Sequence, residues 1–380
     1  MNIAIVTHKV IRGDGQGRVN YEIALSALER GHGVILIASS IAPELQNREG
    51  LRWIQITVDG WPSDLIRNQI FAARSALWIK RHRGEFEKLM VNGFITWAKS
   101  DINTAHLVHS TWVKIMQDAP MVYSIKSIYQ SIYSRLNAKL ERKAFAKAKK
   151  VVAVSRKVRQ ELLDIGVPDS RIEVILNGVD LEEFYPGRSD RTSLELPEDV
   201  PLALFIGDIL TTRKNLDTAL NAVKRIQNIH LAVAGRLDGS IYPGIAEKMG
   251  IKDRIHFLGF RKDTANILRS CDLLVLPARY EPFGLVVLEA MASGIPVVLS
   301  STVGASELVT QECGVVISDP NDDEALALAL ESIISDPERR LKMGAAAREA
   351  AQKYGWKDMT LRYIALLEQS SNHDSAMFST

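Results

Sequence analysis

Cysteine is almost missing from this sequence. Two residues in 380, Cys271 in the apolar run CDLLVLP and Cys313, give no disulfide framework, which points to a reducing compartment. No apolar run reaches the length of a membrane span, and the opening MNIAIVTHKV lacks the charged head, long apolar core and small-residue cleavage site of a secretory signal. A cytoplasmic location is therefore expected. Aspartates spaced D-x-D, zinc-spaced Cys/His clusters and a Walker lysine motif are also missing, so neither a metal site nor ATP hydrolysis is expected. Nothing resembles an aromatic RNA-binding motif or a zinc finger, and no nucleic-acid partner is expected.

What is present is the composition of a globular protein, 46% hydrophobic and 24% charged, in a chain longer than one core usually serves. The net charge of +2 hides an asymmetry. Residues 1–188 hold 27 basic and 19 acidic side chains, so the first half is basic and the second acidic. Such a half suits an anionic membrane or a phosphorylated acceptor. Within it, WPSDLIRNQIFAARSALWIKRHR sets Trp61, Leu65, Ile66, Ile70, Leu77 and Trp78 beside Arg67, Arg74, Lys80, Arg81 and Arg83. Basic amphipathic helices with tryptophan lie at membrane surfaces, and they also pack on sheets. A second basic helix is expected over 129–150, where its charges are either a solvated face or a contact with acceptor or membrane.

Short apolar runs alternate with helical patterns along the whole chain. In the first half, strands are expected at 2–6, 34–38, 53–58, 89–92 and 104–108, with the first followed by a glycine-rich stretch, Gly13 to Gly17, and a helix through Arg30. The alternation restarts at Pro201 after GRSDRTSLELPEDV, a polar run that reads as a linker. Strand and helix taking turns implies an α/β protein with doubly wound parallel sheets. The expected domains are 1–187 and 188–354, with helix 355–370 after them and a polar tail.

The stretch Pro277 to Ser301 is the most informative. An apolar strand runs into PARYEPFG and then a helix, Leu285 to Ala292, whose N-terminus opens at Phe283-Gly284. Unpaired N–H groups and the positive end of the helix dipole favour an anion there. Glu281 and Glu289 border that position, and carboxylates so placed accept hydrogen bonds from sugar hydroxyls. Glu289 sits in LVVLEAMA, a helix apolar on nearly every side, where a carboxylate without partners is costly. Arg213 and Lys214 stand on a loop entering another helix, which places two cations beside the same anion site.

Glu281 and Glu289 with PFGLVVL between them resemble the E-x7-E signature of retaining GT-B glycosyltransferases, the family 4 group that includes glycogen synthase-like and bacterial cell-surface sugar transferases. The resemblance implies two Rossmann-like domains facing across a cleft, a basic acceptor-binding domain first and a nucleotide-sugar domain second, with the last helix crossing back onto the first domain. It further implies that Glu281 lies at the donor sugar and Glu289 at the ribose. Arg213 and Lys214 match the family's R-K element beside the diphosphate, after Gly207. LVHSTW places His109 near the reacting carbon. Gly15 and Gly17 match the glycine loop, with Asp14 where a glycine is usual, and Phe283, Gly284 and Leu285 match the helix entrance. Base contacts are implied around Arg236, Phe260 and Arg261, largely through backbone.

The activity so implied is metal-independent transfer of a sugar from a nucleotide diphosphate, UDP being the commonest, to a hydroxyl of a saccharide or lipid-linked saccharide. No cofactor is implied. Attack comes from the face the leaving phosphate departs, and that phosphate takes the acceptor's proton. A sugar-nucleotide epimerase on the same fold, or a noncatalytic nucleotide-sugar binder, are the alternatives.

Overall fold

The computed structural model describes residues 1–118, 125–187 and 191–376. Residues 188–190 of the expected linker and the end of the tail lie outside them. The chain divides into two compact units: residues 1–177 together with the segment from Trp356 onward, and residues 178–355. The division falls ten residues before the polar run expected to separate the domains. The segment after Asn177 already belongs to the second unit, where Arg348 donates to the carbonyls of Leu181 and Phe184. Gly178, the first residue of that unit, does not take a positive φ. Instead its neighbour Val179 donates to Tyr354 O at 2.9 Å and bridges in parallel to Gly355.

The main sheet of unit 1 has seven parallel strands: β1 (Asn2–Val6), β2 (Gly33–Ala38), β3 (Leu51–Gln55), β4 (Lys88–Asn92), β5 (Ile102–Ala105), β6 (Lys150–Ala153) and β7 (Ile172–Val174). Their order is β3-β2-β1-β4-β5-β6-β7. Its helices are α1 (Gly15–Glu29), α2 (Asp64–Arg81), α3 (His109–Asp118), α4 (Ile125–Lys147) and α5 (Arg156–Asp164). β1, β2 and β4 are apolar and buried almost throughout, the pattern of strands covered on both faces. The fifth strand begins and ends earlier than the expected 104–108. Ala105 pairs with Ala153 at the last rung of β6, and beyond it no neighbouring strand remains to bond.

Unit 2 repeats the plan with β8 (Leu202–Ile206), β9 (His230–Ala234), β10 (Ile255–Gly259), β11 (Leu273–Leu276), β12 (Val297–Ser300) and β13 (Gly314–Ile317). Their order is β10-β9-β8-β11-β12-β13. The helices are α6 (Leu216–Arg225), α7 (Tyr242–Lys248), α8 (Thr264–Arg269), α9 (Leu285–Ala292), α10 (Asp323–Ile334) and α11 (Pro337–Ala351). In both units the strand order reverses beside the first strand, between β1 and β4 and between β8 and β11. Open α/β sheets bind ligands at the carboxyl ends of the strands at that switch point. The last helix, α12 (Trp356–Ala376), returns to unit 1, where Met359, Tyr363, Ile364 and Leu367 enter the core with Ile3, Ile5 and Val19.

Candidate active site

The unit 2 switch point gathers charge from the two loops beside it. The loop after β8 turns through Asp208, whose carboxylate accepts from Leu210 N at 2.9 Å and from the Thr211 hydroxyl at 2.9 Å. It ends in a single tight turn, Thr212–Lys214, and Asn215 then takes a left-handed conformation (φ 62°) as the cap of α6. The loop after β11 lies against that turn, because Arg279 N donates to Arg213 O at 2.9 Å. The Arg279 side chain also reaches Thr212 O at 2.8 Å and Asp217 at 3.3 Å. Arg213 and Lys214 are thereby both brought to Glu281. Arg213 Nη1 lies 3.2 Å from Glu281 Oε2, and Lys214 Nζ donates to the same oxygen. All three side chains are largely buried, at 25%, 11% and 13% exposure.

Gly284 caps α9 with φ 94°, a conformation that only glycine adopts without strain, and no side chain occupies the cap. A Cβ there would lie 3.2 Å from the Glu281 stem. The backbone of Glu281 is fixed by bonds to Thr302 O at 3.3 Å and from Gly304 N at 2.9 Å. Phe283 is buried beneath this turn. Glu289 proves less enclosed than its sequence neighbours suggest. On α9 only Leu285 and Glu289, one turn apart, are partly exposed while the other six positions are buried, so the carboxylate lies on the helix's one open stripe.

A cleft of about 400 Å³ adjoins this cluster, lined by Gly207, Asp208, Arg236, Phe260, Arg261 and Thr264 among others. Gly207 links the two. A Cβ on it would sit 3.2 Å from the Lys214 side chain, and its carbonyl lies where a Cβ on Gly235 would be, 2.5 Å away. Arg236 is exposed. Arg261 is held by a two-pronged bond to Asp263 at 2.8 and 2.6 Å, which keeps that carboxyl below its ordinary range. Phe260 is exposed at the rim.

In unit 1, Gly15 and Gly17 form the first turn of α1 after β1. Asp14, the departure from the expected glycine, is the helix cap: its carboxylate accepts from Gly17 N at 2.7 Å. An aspartate does this better than a glycine, by a few tenths of a kcal/mol or more. His109 is the first residue of α3 rather than the end of a strand. Its backbone N–H and its ring Nδ1 both lie 2.8 Å from the carboxylate of Glu141 on α4. Glu141 has no signature in the sequence: a lone acid in a lysine- and arginine-rich helix reads as surface. Burial pushes His8 and His106 down to about 4, and both stay neutral at physiological pH. Among the described residues no group of three or more His, Cys, Asp or Glu is placed to hold a metal ion.

Twin doubly wound units with the site at the switch point define the GT-B fold. Sucrose-phosphate synthase from Thermosynechococcus elongatus has it with a TM-score of 0.82, at 22% identity over 98% of this chain and 99% of that one. Anabaena Alr3699/HepE, in complex with UDP-glucose, superposes with a TM-score of 0.75 at 20% identity, covering 98% of this chain and all of that one. Residues 13–183 match the family described as Glycosyltransferase Family 4, and residues 188–350 match Glycosyl transferases group 1. An uncharacterized glycosyltransferase of Methanocaldococcus jannaschii is 32% identical over 223 residues, 55% of this chain and 57% of that relative. The chain thus spans little more than half the length of that curated relative.

Proposed function

We propose that this chain is a retaining, metal-independent glycosyltransferase that moves a sugar from UDP to a hydroxyl of a saccharide or lipid-linked saccharide. The observation that carries the reading is the convergence of Arg213, Lys214 and Glu281 beside the open N-terminus of α9. Two cations and a helix N-terminus suit a diphosphate, and a carboxylate next to them suits sugar hydroxyls. The adjoining cleft is of the size that small ligands occupy. UDP is favoured because a protein of the same fold, Alr3699/HepE, is described in complex with UDP-glucose.

In this reading the bond from the sugar C1 to the diphosphate oxygen breaks and the acceptor oxygen bonds C1 on the same face. The acceptor's proton passes to the leaving phosphate. Charge therefore grows on the diphosphate, and Arg213 and Lys214 are there to oppose it without reorganising. A sugar-nucleotide epimerase or a noncatalytic binder would take the same donor; formation of a glycosidic product separates them from a transferase.

The direct test is a thermal-shift screen of UDP, GDP, ADP and CMP with their sugars. A ligand at a hundred times its dissociation constant stabilises by about 2.7 kcal/mol. The largest shift is expected with UDP and its sugars, and a chain that responds to no sugar nucleotide overturns the reading. EDTA is expected to leave donor turnover intact, because cations of the protein already meet the phosphates. Inhibition by the chelator that Mn²⁺ or Mg²⁺ reverses would refute metal independence.

Unit 1 is read as the acceptor side, docking weakly on anionic membrane from the cytoplasmic face. Exposed Ile66 on α2 and exposed Ile128, Tyr129 and Ile132 on α4 support this. The two helices are joined where Tyr129 OH accepts from Leu65 N at 3.2 Å and Tyr133 OH from Asn68 at 2.9 Å, so their apolar side chains share one surface. Arg135, Lys139, Arg142 and Lys143 flank it on α4. No helix among the described residues is long and apolar enough to cross a membrane. Each basic residue near an anionic surface contributes about 1 kcal/mol, screened by salt. Vesicle flotation is expected to show binding to anionic lipid at low salt that weakens at physiological salt, with none to neutral lipid. Equal absence of binding throughout would leave a soluble acceptor.

A further inference from the structure

α4 is basic on its outer side, yet three polar residues on its inner side, Ser134, Asn137 and Glu141, are buried. Glu141 is the charged one, with its side chain 6% exposed. A carboxylate enclosed to that degree is kept by specific partners. Two are on α3: the backbone N–H of His109 and its ring Nδ1, each at 2.8 Å. A third neighbour shows that room was made for it. Gly93, the residue after β4, has φ 58°, and a Cβ there would lie 3.1 Å from Glu141 Oε1. The ring of Tyr133, two turns before Glu141 on α4, meets the His109 ring edge-on at 6.4 Å between centroids.

An ionised carboxylate only accepts hydrogen bonds, so the ring nitrogen facing it carries the proton. His109 is thereby fixed with hydrogen on Nδ1, and in the neutral ring Nε2 is left as the acceptor. The backbone bond to the same carboxylate ties the start of α3 to α4, so the ring's position and its tautomer are set by one group. This is the arrangement by which a buried acid orients an imidazole elsewhere in catalysis.

We propose that Glu141 is the positioning residue for His109, fixing the orientation of its ring and holding its Nε2 free of the proton as an acceptor. The proposal rests on the reading that His109 serves the donor sugar. Glu141 touches neither substrate nor reacting atoms; it acts through the ring.

The test is ¹⁵N NMR of the histidine rings in the full chain at pH 8, with the His109 signals assigned by their loss in His109→Ala. Nδ1 is expected to be protonated and Nε2 bare. In Glu141→Gln that preference should weaken, and kcat for UDP release from UDP-glucose should fall by about tenfold to a hundredfold while KM stays within about twofold. Glu141→Asp should restore part of the tautomer preference. A wild-type ring protonated on Nε2, or a Glu141→Gln ring unchanged from wild type, overturns the proposal, and the wild-type spectrum alone decides should the variants fail to fold. Full turnover in His109→Ala would instead refute the role of the histidine, an outcome distinct from failure of the tautomer result.

Discussion

Arg213→Ala is expected to slow donor turnover by about a hundredfold or more while moving the melting temperature by only a few degrees. Its guanidinium lies over the loop that carries Glu281, and the charge it opposes is made mainly when the bond to the diphosphate breaks. Loss should therefore appear in kcat and kcat/KM together. Lys214→Ala should lose a similar factor in turnover but also about 2 kcal/mol of stability, because its ammonium and the Glu281 carboxylate form a largely buried pair. Steady-state UDP release and calorimetric melting, run on both variants, separate the two effects. Wild-type turnover in either one removes that cation from the diphosphate site.

The second large effect divides the two glutamates. Glu289→Gln should weaken bare UDP more than tenfold, since a charged acceptor shared with hydroxyls contributes about 1.5 to 3 kcal/mol. Glu289 lies on the open stripe of α9, one turn past the helix entrance, which puts it on the ribose side of a phosphate held there. Glu281→Gln should not weaken bare UDP at all. Its carboxylate neutralises Lys214 and Arg213, so removing it leaves those cations more available to phosphate. What it should lose is the advantage of UDP-glucose over UDP. Titration calorimetry with both ligands on both variants checks this, and equal losses of UDP affinity would end the proposed division of roles.

Much of this was legible because parallel strands are buried on both faces and read as unbroken apolar runs. Leu285 to Ala292 was readable as a helix with an open entrance from Phe283-Gly284 alone, and the two glutamates follow from that frame. What escaped was whatever depends on a partner far along the chain. Glu141 meets His109 across 32 residues and looks like surface in its own helix. AHLVH reads as strand because apolar residues continue past Ala105, although the neighbouring strand does not. Asp14 reads as a missing glycine until its bond to Gly17 N is seen. The bond by which Asp263 holds Arg261, two residues before it, was not anticipated either.

The return of α12 to unit 1 has a consequence for how the chain is made. Tyr363, Ile364 and Leu367 fill the same core as the first strand, so residues 1–177 emerge from the ribosome before the side chains that complete that core. Unit 2 is contiguous and can close as soon as Gly355 is out. The earlier-synthesised unit is thus the later one to be completed. A fragment ending at residue 177 should be aggregation-prone, whereas a permuted fragment that joins the 356–376 segment to Met1 should carry everything unit 1 needs.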